Sequence, residues 1–293
     1  MLAGGATTAL AVLYTLAVRT AWGQRLDATA LNGRRELRAR AVHAAARLLT
    51  TIDVAAIVLL GGAIVLVALL RARPRLAVGA GVVIVGSILT TEVLKRVVLP
   101  RPDFGIVDAL HSRPSFPSGH TTVAMSLGMA AMMVAPSRWR WMIGVLGAVY
   151  ASAIGVAVVA TANHRPSDPI GAVLVVTAWT AAVAAVLVGR EGEERHEPAG
   201  PRASPWLALG GLALLIVAFV GLAATVLAIR RNRLDTIELG GAFAASSTAI
   251  VGTMLVSTAA LLAVLRGVAL DRPLAFATPH TPGTKEIVGD QAG

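Results

Sequence analysis

Cysteine is absent from this chain of 293 residues, which excludes disulfides, thiolate metal sites and a cysteine nucleophile. Charged residues are also scarce, because they make up 14% of the chain, whereas a soluble domain carries about 25%. Aromatic residues reach only 4%, while hydrophobic residues reach 56% and the mean hydropathy is +0.72. A chain with so few charges and so many apolar residues is typical of an integral membrane protein.

Apolar runs recur along the whole chain. The hydrocarbon core of a bilayer is about 30 Å thick, so a membrane-spanning helix needs about 20 mostly apolar residues. The alternation of apolar and polar residues that membrane barrel strands require is missing from these runs. The sequence therefore predicts an all-α, polytopic membrane helix bundle with eight spans. The spans are predicted at residues 3–20, 52–70, 76–98, 119–135, 141–161, 169–188, 205–229 and 240–265.

The chain is basic, with 26 Lys and Arg residues against 16 Asp and Glu residues and a formal net charge of +10. The basic residues are scattered over short loops, and no Gly-rich nucleotide loop or basic patch interleaved with aromatics accompanies them. The predicted partners are therefore the lipid bilayer and its anionic headgroups rather than nucleic acid.

Arginines in short loops favour the cytoplasmic side of a membrane. Two loops between predicted spans carry such arginines, and placing both loops inside also puts both chain termini inside. The segment 19–47, which this topology places outside, carries seven further arginines and would invert the topology if taken alone. The loop arginines are Arg71, Arg73, Arg75, Arg138 and Arg140.

We interpret the second half of that segment, around 33–49, as an amphipathic helix on the membrane surface. Its apolar face is predicted to hold Leu37, Val42, Ala45 and Leu48. The chain is further expected to divide into a six-span core, a polar cytoplasmic linker, two additional spans and a disordered tail rich in Pro, Gly and Thr. The corresponding ranges are 1–190, 191–204, 205–270 and 271–293.

One candidate motif is His164-Arg165-Pro166-Ser167-Asp168, just before the sixth apolar run. His164 and Asp168 are four residues apart, so they can meet on one face of a helix. A carboxylate on one imidazole nitrogen fixes the tautomer and leaves the other nitrogen free to attack. Pro166 suits the first turn of a helix, and an ordinary helix start with an acidic first turn is the alternative interpretation.

A second motif, Pro117-Ser118-Gly119-His120, opens the fourth apolar run. Ser118 is a candidate N-cap, and Gly119 lets a ligand approach the backbone closely, so the free N–H groups there can receive an anion. His120 can then act as a general acid towards a leaving oxygen. The alternative is a plain capped helix.

A third candidate is the pair of cations Lys95 and Arg101, which close the third apolar run. Lysine occurs at only one other position, Lys285, in a chain that otherwise uses arginine. Basic residues at span ends often only snorkel to the interface, and Glu92 is a candidate salt-bridge partner for Lys95. Under the topology above, however, all three motifs meet at one membrane face. Cations beside paired histidines suit the transfer of a negatively charged phosphoryl group.

The ordered set of Lys and Arg-Pro, Pro-Ser-Gly-His and His-x-x-x-Asp, each at a span end, resembles the type 2 phosphatidic acid phosphatase superfamily over about residues 50–190. The resemblance implies a six-helix membrane core in which His164 is the nucleophile that forms a phosphohistidine, Asp168 is its partner and His120 protonates the leaving group. It also implies that no metal and no other cofactor is used. The implied phosphate pocket holds Lys95, Arg101, Ser118 and Gly119.

Two positions depart from the family's pattern. The family has six residues between the Lys and the Arg, whereas five separate Lys95 from Arg101, which turns Lys95 by about 100° on a helix unless the following loop absorbs the change. The family also has an Arg six residues before the nucleophile, where this chain has Val158. Arg165 or Arg113 is a candidate substitute for that phosphate-binding guanidinium.

The leading hypothesis is an integral plasma-membrane phosphatase whose active site lies on the extracytoplasmic side and hydrolyses a lipid phosphate or diphosphate. A polyprenyl diphosphate or a phosphatidylglycerophosphate-like lipid fits that setting. One alternative is a catalytically silent relative that binds phospholipid or scaffolds an envelope complex, with the two C-terminal spans facing an envelope protein partner. Another alternative is a membrane phosphatase that acts on a phosphosugar.

Overall fold

The computed structural model describes residues 1–106, 114–191 and 203–266, in which ten α-helices and no strand are found. This confirms the predicted all-α helix bundle. Three short turns of other helix types extend some of the α-helices. They are π-helical turns at Tyr14–Val18 and Leu94–Val98 and a 3₁₀ turn at Gly33–Glu36. The α-helices are α1 Leu2–Leu13, α2 Ala21–Asn32, α3 Ala39–Leu49, α4 Val54–Leu70, α5 Pro74–Val93, α6 Gly119–Val134, α7 Ser137–Ala160, α8 Ser167–Glu191, α9 Ala203–Arg230 and α10 Thr236–Val264.

Each of the eight predicted spans coincides with a helix, but not all are long enough to cross a bilayer alone. Five described segments are long and apolar enough by themselves, and the number rises to seven if the bent pairs α1–α2 and α3–α4 each form one span. The prediction of eight spans is too high by this criterion, because α6 has only 16 residues and reaches about 24 Å. The five segments are Pro74–Val98, Ser137–Ala160, Ser167–Val188, Ala203–Arg230 and Thr236–Val264.

Close packing of small residues brings the helices together around α8, which packs against α1, α5, α6 and α10. A Cβ atom added to Gly128 of α6 would lie only 3.0 Å from the Cα atom of Gly147 of α7, so the two backbones touch there. Such contacts drive helix association in lipid, where apolar side chains gain little by leaving one apolar medium for another. On α9, by contrast, Trp206 and Phe219 point outward with 76% and 74% of their surface exposed.

Two of the loop arginines have structural roles that the sequence did not indicate. Arg140 lies in the first turn of α7, is 5% exposed and donates a 2.9 Å hydrogen bond to the carbonyl of Leu265 at the end of α10. Arg71 donates in the same way to the carbonyl of Val134 at the end of α6. Both guanidiniums therefore satisfy helix C-termini. They lie at the end of the bundle opposite to the three motifs, as the helix directions require.

The N-terminal helices fold over the motif end of the bundle. α1 and α2 meet at 83°, and α2 then contacts the segment after α5 and the start of α8. The predicted amphipathic helix around 33–49 is shorter than expected, because Leu37 has an extended backbone and α3 begins only at Ala39. Within α3 the predicted pattern holds, since Val42, Ala45 and Leu48 are half-buried whereas His43 and Arg47 are exposed. Of the predicted linker, residues 192–202 lie outside the described residues, as does the whole predicted tail.

Candidate active site

Lys95 lies in the π-helical turn that ends α5, beside the start of α6. Its Nζ donates a 3.1 Å hydrogen bond to Oε1 of Glu92, as the spacing of the two residues suggested. A Cβ atom on Gly119 would lie 3.5 Å from the same Nζ atom. The shorter spacing between Lys95 and Arg101 therefore does not turn the lysine away from the Pro-Ser-Gly-His segment.

The start of α6 is built as a capped helix that also joins the other histidine motif. The Oγ atom of Ser118 accepts hydrogen bonds from the backbone N of Thr121 at 3.4 Å and from its Oγ1 at 3.1 Å. The backbone N of Ser118 itself donates a 3.0 Å bond to the backbone O of Asp168. Gly119 carries no side chain over the first turn, which leaves space for a ligand between the start of α6 and Lys95.

His164 and Asp168 form the pair that their spacing predicted. The Nδ1 atom of His164 lies 3.2 Å from Oδ2 of Asp168, and the same oxygen accepts a 2.9 Å bond from the backbone N of Arg165. Asp168 is 0% exposed and His164 is 8% exposed. Because Asp168 occupies Nδ1, the Nε2 atom of His164 is the nitrogen left for chemistry.

Arg101 reaches the carboxylate of this pair from the other side. Its Nη2 atom lies 3.4 Å from Oδ1 of Asp168 and 3.8 Å from Oδ2 of Asp27, and its side chain is 4% exposed. The Nε and Nη1 atoms of Arg101 are buried and form no hydrogen bond with the described residues. Buried donors without a partner are costly, so these two atoms are suited to an anionic ligand.

His120 completes the cluster from the first turn of α6. It is half-buried and lies within electrostatic reach of His164 and Lys95. The structure thus brings together at one end of the bundle the residues that the sequence singled out. They are Lys95, Arg101, Ser118, Gly119, His120, His164 and Asp168.

Arg165 joins the cluster in a different way. Its guanidinium is buried and donates a 3.1 Å hydrogen bond through Nη1 to Oγ of Ser115. Val158, where the family pattern has an arginine, is 0% exposed, and its carbonyl accepts a 3.0 Å bond from the backbone N of His164. Arg113, the other candidate substitute, lies outside the described residues.

Sequence reasoning missed Asp27 and Ser115. Asp27 is 8% exposed and accepts hydrogen bonds from both the backbone N and the hydroxyl of Ser167, the first residue of α8. A signal was available, because Asp27 is the only acidic residue among the first 35 of the chain. Ser115 lies two residues before Pro117 and carried no pattern of its own.

The arrangement offers a buried imidazole with a carboxylate partner, a second imidazole, two cations and the amides of a helix start, all at one end of a membrane bundle. Such a set can receive a phosphoryl group and transfer it to nitrogen. Comparison with known protein families finds that residues 54–191 match the model of the PAP2 superfamily. No curated protein and no solved structure matches the chain.

Proposed function

Because residues 54–191 belong to the PAP2 superfamily, a superfamily of phosphatases, we propose that this multi-pass membrane protein hydrolyses a lipid phosphate or diphosphate through a phosphohistidine. The observation that supports this most directly is the His164–Asp168 pair, with Nδ1 and Oδ2 3.2 Å apart. The pair is joined through the Ser118–Asp168 backbone bond to the helix start that carries His120. Nucleophile, carboxylate partner and proton donor therefore belong to one connected unit.

The first step forms a bond from Nε2 of His164 to phosphorus while the bond from phosphorus to the leaving oxygen breaks. The lone pair of the imidazole supplies the electrons, and His120 gives its proton to the leaving oxygen. In the second step a water attacks phosphorus, His120 takes a proton from that water, and the phosphorus–nitrogen bond breaks. Inorganic phosphate leaves, and His164 and His120 return to their starting states.

Positive charge around the phosphoryl group stabilises the transition state, in which charge spreads over three equatorial oxygens. Lys95 lies beside Gly119 at the start of α6. Arg101 contributes a second cation, with Nε and Nη1 free of bonds to the described residues. These donors are fixed before the substrate arrives, which is what makes electrostatic stabilisation effective.

The position of the site at the ends of α5, α6 and α8 suits a lipid substrate. A phosphate headgroup can reach the cations at the membrane surface while its hydrocarbon chain stays beside apolar helices. A polyprenyl diphosphate or a phosphatidylglycerophosphate-like lipid meets this requirement. The loop arginines at the opposite end of the bundle favour an extracytoplasmic site on the plasma membrane, whereas the seven arginines of residues 19–47, on the N-terminal segment that reaches the site, favour the reverse.

One observation favours a second candidate, a catalytically silent relative that binds phospholipid or scaffolds an envelope complex. The position of the family's third-motif arginine is held by Val158, a fully buried apolar side chain. A site without that guanidinium loses one source of charge stabilisation, which is worth several kcal/mol in comparable sites, about 2.7–4 kcal/mol for one donor.

Phosphate release from the purified protein distinguishes these candidates. The protein in detergent or lipid discs would be given a polyprenyl diphosphate, phosphatidylglycerophosphate, phosphatidic acid and a soluble phosphosugar, without added metal. We expect release from at least one lipid, and none from the His164→Ala variant. If phosphate is released from the phosphosugar alone, the substrate is a phosphosugar and not a lipid. If no compound releases phosphate, the result favours a catalytically silent member of the family.

A further inference from the structure

The candidate active site contains a buried carboxylate from α2, although all of the predicted site residues lie within the family segment, residues 54–191. Asp27 belongs to α2 and precedes the matched residues 54–191. It is nevertheless 8% exposed and lies against Ser167 and Arg101 at the centre of the cluster. A buried carboxylate needs partners that offset the loss of its hydration, so its surroundings indicate what it does.

The first partner of Asp27 is the start of α8. The Oδ1 atom of Asp27 accepts a 3.0 Å hydrogen bond from the backbone N of Ser167, and Oδ2 accepts a bond from the Ser167 hydroxyl. Asp27 thus caps α8 from a different helix and places negative charge at its N-terminus. The residue that follows Ser167 is Asp168, the partner of His164, so the cap fixes where that pair stands.

The second partner is Arg101. Its Nη2 atom stands between two carboxylates, 3.8 Å from Oδ2 of Asp27 and 3.4 Å from Oδ1 of Asp168. Held by that one nitrogen, the guanidinium keeps Nε and Nη1 without a bond to any described residue. Asp27 therefore contributes to the direction in which the remaining donors of Arg101 point.

Two more residues of the N-terminal helices hold the backbone on either side of Arg101. The hydroxyl of Tyr14 donates a 2.8 Å hydrogen bond to the carbonyl of Pro100. The Nε2 atom of Gln24 donates a 2.8 Å bond to the carbonyl of Pro102. Backbone and side chain of Arg101 are thus both fixed from outside the family segment.

We propose that Asp27 is a positioning residue of the phosphatase site, which orients Arg101 and the start of α8 for phosphate binding. This inference rests on the proposed function. It makes the α1–α2 corner part of the catalytic unit, although that corner precedes the family segment. Asp27 itself touches neither substrate nor leaving group, and it acts through Arg101 and Asp168.

The test compares Asp27→Ala and Asp27→Asn with Asp235→Ala in the full-length protein. Asp235 is a matched control, because its carboxylate also caps a helix, α10, but does so from its own chain segment and on an exposed surface. We expect Asp27→Ala to lower kcat/KM by about 10- to 100-fold, since small misplacements of binding groups have effects of that size. Asp27→Asn keeps an acceptor for Ser167 and should lose activity too, because the charge that faces Arg101 is gone.

A double-mutant cycle with Arg101→Ala separates positioning from general damage. Asp27→Asn keeps an acceptor for Ser167 and so removes mainly the charge that faces Arg101. Adding Asp27→Asn to the Arg101→Ala variant should therefore change kcat/KM by less than about threefold, since the two changes remove one shared interaction. Fully multiplicative losses would overturn the inference. A kcat/KM equal to that of the wild type in Asp27→Asn would also overturn it. Such a result would mean that Asp27 only accepts hydrogen bonds from Ser167 and that its charge does not matter.

Thermal stabilisation by inorganic phosphate gives a readout that does not depend on turnover. We expect phosphate to raise the melting temperature of the wild type and of Asp235→Ala, and to raise that of Asp27→Asn clearly less. If the wild type releases no phosphate from any lipid, the proposed function fails, and this shift still decides the role of Asp27. Equal shifts in the wild type and in Asp27→Asn would reject that role.

Discussion

The backbone amide of Ser118 donates a 3.0 Å hydrogen bond to the backbone carbonyl of Asp168. This bond joins the start of α6 to the start of α8, and each of the two segments carries one histidine of the cluster. Because the bond uses main-chain atoms only, it fixes the relative position of His120 and His164 without depending on either imidazole. Substitutions at either histidine should therefore change the chemistry while leaving this frame in place.

His164→Ala should abolish turnover and phosphoenzyme formation, with a fall in kcat of about four orders of magnitude or more, as for other enzymes that lose their nucleophile. The protein should still fold, since the Ser118–Asp168 bond is retained. Radiolabelled phosphate from the substrate, trapped as an acid-labile and base-stable adduct, measures the intermediate. A normal amount of that adduct in the variant would mean that another residue is the nucleophile.

Asp168→Asn should weaken turnover rather than abolish it. The amide can still meet Nδ1 of His164 at 3.2 Å, but the negative charge that stabilises an imidazolium is lost. The fall in kcat should be clearly smaller than that of His164→Ala, measured in parallel on the same lipid. Equal losses in the two variants would show that Asp168 does more than orient the imidazole.

Gly119→Ala should lose activity without losing stability. The added Cβ would lie 3.5 Å from Nζ of Lys95 and from Oε1 of Glu92, which is ordinary contact distance, but it would stand over the helix start that is proposed to bind phosphate. We expect kcat/KM to fall by about tenfold or more, with the melting temperature unchanged.

Gly128→Ala serves as the matched control for that variant. Its Cβ would lie 3.0 Å from the backbone of Gly147 in the packed contact between α6 and α7, far along α6 from the motif. This variant should lose stability by about 1–3 kcal/mol, seen as a lower melting temperature. If Gly119→Ala melts early while retaining its activity, the helix start does not bind phosphate.

Val158→Arg should lower activity and stability, whereas Arg165→Ala should lower activity by about 10²–10³-fold if its guanidinium substitutes for the absent one. Val158 is 0% exposed and belongs to the apolar core, so an arginine there would bury a cation among apolar side chains. Arg165→Lys is the control that keeps charge but not the planar fork. Higher phosphate release from Val158→Arg would show instead that no other arginine substitutes for the phosphate-binding arginine of the family pattern.

Single cysteines should reveal the orientation, because the native chain has none. Asp103→Cys lies on the exposed segment after α5 near the cluster, and Ser137→Cys lies on the exposed start of α7 at the opposite end. An impermeant thiol reagent applied to intact cells should label the first and not the second. The reverse pattern would place the site in the cytoplasm.

The sequence predicted the parts of the site that depend on local spacing. The His164–Asp168 pair follows from a separation of four residues, and the cap at Ser118 follows from its place before an apolar run. The half-buried face of α3 follows from helical periodicity in the same way. These features are settled within a turn or two of chain, where the pattern of residues carries the information.

Contacts between distant segments could not be predicted from one sequence. Asp27 and Ser167 are 140 positions apart, and nothing near either residue indicates the other. Arg140 illustrates the same limit, since its position after a predicted span suggested a surface loop. In the fold it is buried and bonded to Leu265, 125 positions away. Long-range pairing depends on how the helices pack, which single-sequence periodicity does not encode.

The Asp27–Ser167 contact also constrains the order in which the protein is made. A ribosome adds about 5–20 residues per second, so the 140 positions between the two residues take about 7–28 s to synthesise. During that interval Arg101 is already made, but the two Ser167 donors that Asp27 accepts from are not. The contact between the α1–α2 corner and α8 can therefore form only after α8 has been inserted.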